Sequence, residues 1–405
     1  MTPIYLDNNA TTRVDPAVLE EMLPFFGDLY GNPGSPHHFG GQVEGYLTIA
    51  RQRVANLLAA SQTEIFFTSG GTESINLAIR GTLAANPDKR HIVTTAVEHS
   101  AVLVQCRELA RQGLEVHHLS VDGDGGLDLE ELRQAICEDT AIVSIQWANN
   151  ETGVIFPIAE ITKICREHQV PIHVDAVQAA GKIPINLKET TIDLLSVSAH
   201  KIHGPKGVGA LFVRTGTTIR PILWGGHQER GKRPGTESVP LIVGFGKAAQ
   251  LAAERLATEP EGIEILRDRL QEGLIEAIPN LRVMGDTGPR LANTLNVCFS
   301  GIDGESLLVM MDQRGLAASS GSACLSNRLE PSHVLLAMGV PEEEASSAVR
   351  FSLSRYTTQE EVEEVLRILP ELNRKLHKGG RTFLSADRVA KVVAALWSAE
   401  ALLQP

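Results

Sequence analysis

Ser196-Val-Ser-Ala-His-Lys-Ile-His-Gly-Pro-Lys-Gly-Val-Gly209 carries the chain along a strand, through a turn and into another strand. A short apolar run ends at Ser198, His200 and Lys201. A Gly/Pro-rich turn follows, and Val208–Val213 forms the next run. Similar runs recur on the amino-terminal side, at Ile65–Thr68, His91–Thr95, Glu115–Leu119, Ala141–Trp147, Pro171–Asp175 and Asp193–Ser198. Most are rich in Val and Ile and lack strict alternation, as strands buried on both faces do. Helical patterns lie between several of them, as at Ser100–Arg111 and Ile158–His168. The alternation from about residue 60 to 215 predicts an α/β fold, with helices on both faces of a mostly parallel sheet. Ligands on such sheets sit beyond the carboxyl ends of the strands, which is where Lys201 falls.

Residues 15–258 form the expected large domain. A second region opens near Glu259 with a long helical pattern. It continues through the short strands Leu295–Phe299 and Val349–Ser352 and a helix from about Thr358. This predicts a smaller α+β domain of residues 1–14 and 259–378. Residues 379–405 form an appendage after the Lys378-Gly379-Gly380 break. There Ser385–Leu403 has the spacing of an amphipathic helix, with Val389, Val392, Val393, Leu396 and Leu403 on one face.

The 405 residues carry a formal net charge of -12, with 43% hydrophobic and 21% charged. That composition is an ordinary globular one. Its sign argues against nonspecific nucleic-acid binding. No run reaches the roughly 18 apolar residues of a membrane span, and the amino terminus does not read as a signal peptide. The five cysteines are widely spaced, without a C-x-x-C pair. Neither a disulfide framework nor a zinc cluster is expected, and a reducing, cytoplasmic setting is.

A lysine at a strand end can form a Schiff base with a carbonyl. Read alone, Lys201 is equally a surface lysine beside a tight turn, and Lys206 has that plainer reading. Three further segments add weight. Thr68-Ser-Gly-Gly-Thr-Glu-Ser74 joins a strand to a helix, so Gly71 and Thr72 could cradle a phosphate at the helix amino terminus. Ser198 and His200 could donate to the same phosphate. In His173-Val-Asp-Ala-Val-Gln178, Asp175 reaches a strand end on the same edge as Lys201. Pyridoxal phosphate (PLP) needs such a carboxylate near its pyridine nitrogen. In Val97-Glu-His-Ser100, His99 could stack on the ring and move protons near neutral pH. The plainer readings are a glycine-rich helix start, a helix-capping Asp and a satisfied core histidine. A P-loop is excluded, because Gly-x-x-x-x-Gly-Lys-[Ser/Thr] is absent.

Cys324 lies in Ala318-Ser-Ser-Gly-Ser-Ala-Cys-Leu-Ser-Asn-Arg-Leu-Glu-Pro331, small and polar enough to predict a mobile loop. A loop-borne thiol can act as a nucleophile once ionised; it is otherwise an incidental surface cysteine. The other four cysteines sit in apolar or helical patterns and are expected to pack. Arg350, in a strand-like run, could clamp a carboxylate. Its plainer reading, shared by Arg355, is a surface ion pair.

Taken together these segments resemble the cysteine desulfurases, most closely the nitrogenase-associated NifS branch. The likeness runs from Tyr5-Leu-Asp-Asn-Asn-Ala-Thr-Thr12 to about Thr358. It includes Trp147-Ala-Asn-Asn-Glu-Thr-Gly153, Gly225-Gly-His-Gln-Glu-Arg-Gly231, Pro234-Gly-Thr-Glu237 and Arg350-Phe-Ser-Leu-Ser-Arg-Tyr-Thr-Thr358. It implies a fold-type I PLP-dependent homodimer that converts L-cysteine to L-alanine. Lys201 would hold the cofactor and Asp175 its ring nitrogen, with Gln178 and Asn150 at the ring hydroxyl. Gly71, Thr72, Ser198 and His200 would hold the phosphate, with Thr236 reaching it from the other subunit. His99 would stack on the ring, and Asn150 and Arg350 would bind the substrate carboxylate. Cys324 would take the sulfur as a persulfide and pass it to an iron–sulfur scaffold, meeting a cluster only transiently; no resident metal is implied. A housekeeping desulfurase, a selenocysteine lyase and an aminotransferase of the same fold are alternatives, as is a noncatalytic sulfur carrier. Asn32-Pro-Gly-Ser-Pro-His-His38 and Asn327-Arg328 depart from the family pattern.

Overall fold

A computed structural model describes residues 3–320 and 331–378. Cys324, Asn327, Arg328 and the expected helix at 385–403 lie outside the described residues.

The strands in chain order are β1 (Ile4–Tyr5), β2 (Ile65–Thr68), β3 (His91–Thr95), β4 (Glu115–Leu119), β5 (Thr140–Gln146) and β6 (Ile172–Asp175). They continue with β7 (Leu194–Ser198), β8 (Gly209–Val213), β9 (Leu281–Met284), β10 (Thr294–Phe299), β11 (Leu316–Ala317) and β12 (Ala348–Ser352). The helices used below are α1 (Pro16–Met22), α2 (His38–Leu57), α3 (Gly71–Ala85), α4 (Ser100–Arg111), α5 (Leu129–Ala135), α6 (Ile158–Glu167) and α7 (Val239–Arg255).

The large sheet has the order β2-β8-β7-β6-β5-β3-β4. The pairs β7/β6, β6/β5, β5/β3 and β3/β4 are parallel, and β8 runs antiparallel to both β7 and β2. Two reversals cancel, so β2 points the same way as β7. The carboxyl ends of β2, β3, β5, β6 and β7 therefore share one edge. In register, Thr68 and Ser198 both sit opposite Gly209. Residues of β2, β3 and β5 through β8 are buried throughout, as the unbroken apolar runs require. β4 differs: it is the edge strand, and only Leu119 is buried.

A second sheet, β12-β10-β9, is antiparallel, and β1 pairs in parallel with β11. Leu6, Leu295, Phe299, Phe351 and Leu369 belong to its separate apolar cluster. The segment after β1 spans both sheets. Asp7 bridges to Ser352, and the Thr12 N–H donates to the His200 carbonyl at 3.0 Å. Residues 7–12 thus lie across the lysine turn.

Two sequence expectations change. Cys137 is exposed, whereas Cys106, Cys165 and Cys298 are buried. α5 ends before it, and its backbone N–H turns to Thr140 Oγ1 at 2.9 Å, which places the thiol outside the packing. Arg355 is not a surface group. Its side chain is 9% exposed, between Asp15 at 3.8 Å and Glu259 at 3.6 Å. Lys206 is exposed, as expected.

Candidate active site

At the shared strand edge a cavity of about 240 Å³ is lined by Gly71, Thr72, His99, Asn150, Asp175, Gln178, Ser198, His200 and Lys201. These come from four strand ends and a helix start far apart in sequence. The lysine is delivered by the single 3₁₀ turn Ala199–Lys201 that follows β7. Its Nζ donates to the Asn9 carbonyl and, at 2.9 Å, to the Ala10 carbonyl. Burial, helped by Arg350 and opposed by Asp175 and Asp7, lowers its pKa to about 8.

Asp175 closes β6 and accepts from the Val177 N–H at 2.9 Å. Burial raises its pKa to about 6, against that hydrogen bond and Lys201. It is therefore mostly ionised at neutral pH. His99 caps α4, its Nδ1 accepting from the Ala101 N–H at 3.1 Å. Burial lowers its pKa to about 4, helped by Lys201 and His333. At neutral pH the ring is uncharged, and because Nδ1 accepts, its one proton is on Nε2. His99 is thus a hydrogen-bond donor into the site; a titration near neutrality, which the sequence suggested, is displaced to acid pH by burial. His200, also lowered to about 4 by burial, meets Thr11 Oγ1 at 3.2 Å.

The phosphate cradle has two structural marks. Ser198 Oγ is buried and, among the described residues, has no hydrogen-bond partner. Buried hydroxyls in proteins are nearly always satisfied, so this one fits a ligand oxygen. Gly70 has φ of 156°, a conformation open to glycine, and starts α3 tightly. A Cβ on Gly71 would lie 2.9 Å from Val177 Cγ2, so the backbone there is kept bare. The first-turn N–H groups of α3 then face an anion. A buried amine, a carboxylate, a neutral imidazole and this cradle together fit PLP.

Two sequence-predicted residues are elsewhere. Arg350 is 3% exposed. It donates through Nη2 to Asp7 at 2.6 Å and through Nη1 to the Asn150 carbonyl at 3.0 Å; Nε is buried and, among the described residues, has no partner. It is no surface ion pair. Thr236 is exposed and does not line the cavity. Its loop is tied to α3 by Arg233 and Glu73 at 2.9 Å.

Other residues carry the site without a sequence signal of their own. Asn9 lies in the quoted Tyr5–Thr12 stretch, yet only the fold shows that its carbonyl meets Lys201 and Gln178. Glu98 is fully buried; Oε1 accepts from Thr95 Oγ1 at 2.8 Å and from the Gln146 N–H at 3.0 Å, and among the described residues Oε2 has no partner. Burial raises its pKa to about 8. The folded protein thus binds a proton that the unfolded chain releases from about pH 4.5 upward. Stability from this group is lost as pH rises between about 4.5 and 8. A Glu98→Gln protein should escape that loss. Its melting temperature, relative to the unaltered protein, should rise from pH 5 to pH 8; a constant difference would contradict the buried proton.

The class-V aminotransferase family model matches residues 4–365. The chain is 54% identical over 376 residues to a cysteine desulfurase of Trichormus azollae, covering 93% of this chain and 94% of that protein. It is 50% identical over 373 residues to the cysteine desulfurase NifS of Azotobacter vinelandii, covering 92% and 93%. A solved NifS-like protein superposes with a TM-score of 0.87 at 42% identity, covering 93% of this chain and all of that one. Fold, cavity and these likenesses agree, and the chain belongs to the PLP-dependent cysteine desulfurases of the class-V aminotransferase family.

Proposed function

We propose that the protein removes sulfur from L-cysteine, leaving L-alanine, and holds that sulfur as a persulfide on Cys324 for iron–sulfur cluster assembly. The observation that carries this is the convergence of Lys201, Asp175, His99 and the bare α3 start on one cavity. The bonds balance: the C–S bond of cysteine breaks, an S–S bond forms at Cys324, and the carbon takes a proton. PLP, when bound, supplies a ring that accepts electrons from the substrate Cα.

The protein's own groups do the rest. Lys201 holds the cofactor and, once freed, takes the Cα proton at Nζ. A pKa near 8 leaves a useful fraction of neutral amine at neutral pH. Asp175 brings negative charge to the ring nitrogen and keeps it protonated. Gly71, Thr72, Ser198 and His200 hold the phosphate, and Gln178 and Asn150 the ring hydroxyl. Asn150 and Arg350 receive the substrate carboxylate; Asp7 and the Asn150 carbonyl fix the guanidinium from behind. His99 packs on the ring and donates from Nε2.

A second copy supplies Thr236 to the phosphate, and the exposed Phe26 and Tyr30 between α1 and α2, with Phe39 in the first turn of α2, suit such a contact. A holoprotein that sediments as a monomer would overturn that part. The NifS of Azotobacter supports a nitrogenase-linked scaffold as acceptor, and the unpaired cysteines suit the cytoplasm.

The deciding assay incubates purified protein with PLP, L-cysteine and a reductant, and measures alanine and sulfide together. Equal amounts are expected. Alanine without sulfide or protein persulfide would overturn the desulfurase reading.

A further inference from the structure

Lys182 is a second half-buried lysine at this centre, and the catalytic scheme above leaves it unused. It lies four residues after Gln178 and does not line the cofactor cavity. Its Nζ donates to Gln178 Oε1 at 2.8 Å and to Asn9 Oδ1 at 2.9 Å. Gln178 Nε2 in turn donates to the Asn9 carbonyl at 2.9 Å, the same carbonyl that receives Lys201. Asn9 completes the frame: its Nδ2 donates to the Asn150 carbonyl at 3.1 Å and to Thr294 Oγ1 at 2.9 Å.

The count of donors is informative. A neutral amine has two N–H groups, and two amide oxygens receive them. An ammonium would bring a third proton and a charge into a place largely withdrawn from solvent. Lys201 and Arg350 add positive charge nearby; His203 faces it from the lysine turn, and Glu259 and Arg355 line the small space behind. Burial first, then Lys201 and Arg350, drive the pKa of Lys182 well below its ordinary value.

A side-chain amide can present either its oxygen or its nitrogen, and the two ends are nearly the same shape. Lys182 places its N–H groups on Asn9 Oδ1 and Gln178 Oε1, and the Asn9 carbonyl takes Gln178 Nε2, so the two contacts select the same polarity of the amide. We propose that Lys182 is a positioning residue that fixes the polarity of Gln178, so that Gln178 offers N–H and not C=O to the cofactor's ring oxygen. This rests on the reading that PLP occupies the cavity with its ring hydroxyl at Gln178. Lys182 touches neither cofactor nor substrate; it acts through Gln178 and, through Asn9, on the backbone that receives Lys201.

A donor at the ring oxygen stabilises its anionic form and makes the neighbouring Schiff-base nitrogen less basic. Without Lys182 only the Asn9 carbonyl, which accepts from Gln178 Nε2 at 2.9 Å, still selects the nitrogen end, and the amide is held less firmly. The hydrogen bond to the charged oxygen is weakened, which corresponds to up to about one pH unit.

The test is a spectrophotometric pH titration of the PLP-bound proteins. In Lys182→Met the midpoint of the visible band should rise by about one pH unit. kcat should fall about tenfold, with the KM for cysteine little changed. Lys182→Gln, which restores one N–H, should bring the midpoint part of the way back. A Lys182→Met protein that binds PLP with an unshifted midpoint overturns the proposal alone. If both variants fail to fold, Lys182 is a structural residue and the proposal is overturned too. An unaltered protein that stays colourless with PLP overturns the underlying reading, and this inference with it.

Discussion

A Lys201→Ala protein is expected to lose the yellow colour of the bound cofactor and to turn over L-cysteine roughly 10⁴-fold more slowly. Two functions are lost together. The Schiff base to the protein cannot form, and the amine placed to take the Cα proton is gone. Among the described residues Lys201 has no understudy in the cavity. Lys206 is exposed, and Lys182, although close, is held by Gln178 and Asn9 and does not line the cavity. The cradle at Gly71, Thr72 and Ser198 is untouched by the substitution. PLP should therefore still bind, more weakly and without the Schiff-base absorbance. The checks are absorbance of the reconstituted protein, PLP titration of the apoprotein and alanine formation. An unchanged chromophore, or alanine formed at the original rate, would show that another amine holds the cofactor.

The parts of this centre legible in the sequence are those whose position follows from strand direction. Asp175, Ser198 and Lys201 sit at or just past the ends of apolar runs. Once those runs are parallel, their ends must share an edge. Thr68 was harder to place, because β2 reaches the same edge only through the two antiparallel pairings of β8. The network behind the site had no such signal. Asn9 precedes Lys201 by nearly half the chain, and its contact exists only because residues 7–12 cross the lysine turn. Lys182 follows a glycine after a helical turn, where a lysine ordinarily faces water. Its burial is a property of the packed fold, not of its neighbours in sequence. The two misreadings have the same origin. A helical pattern around Cys137 does not reveal that α5 stops two residues earlier. An arginine on a strand does not reveal whether its carboxylate partners lie inside, as Asp15 and Glu259 do for Arg355.

The same packing bears on which of the described thiols could take the sulfur. Cys106, Cys165 and Cys298 are buried, and burial pushes each thiol up to about 12, so none is a thiolate at neutral pH. Cys137 is exposed but sits three residues before β5 begins, whereas the cavity lies beyond its end at Gln146. Seven residues of strand put it roughly 20 Å from the site. Cys324 is what remains, by elimination among the five cysteines. A Cys324→Ala protein is therefore expected to keep its colour and its PLP affinity and to lose sulfur transfer by about 10³-fold or more. Alanine should fall with it, because the C–S bond has no acceptor for its sulfur. Mass spectrometry after cysteine treatment should find the extra sulfur on Cys324 in the unaltered protein and on no cysteine in the variant. Persulfide appearing at Cys137 would refute the distance argument. Alanine formed at the full rate without Cys324 would mean that sulfur leaves by a route needing no protein thiol.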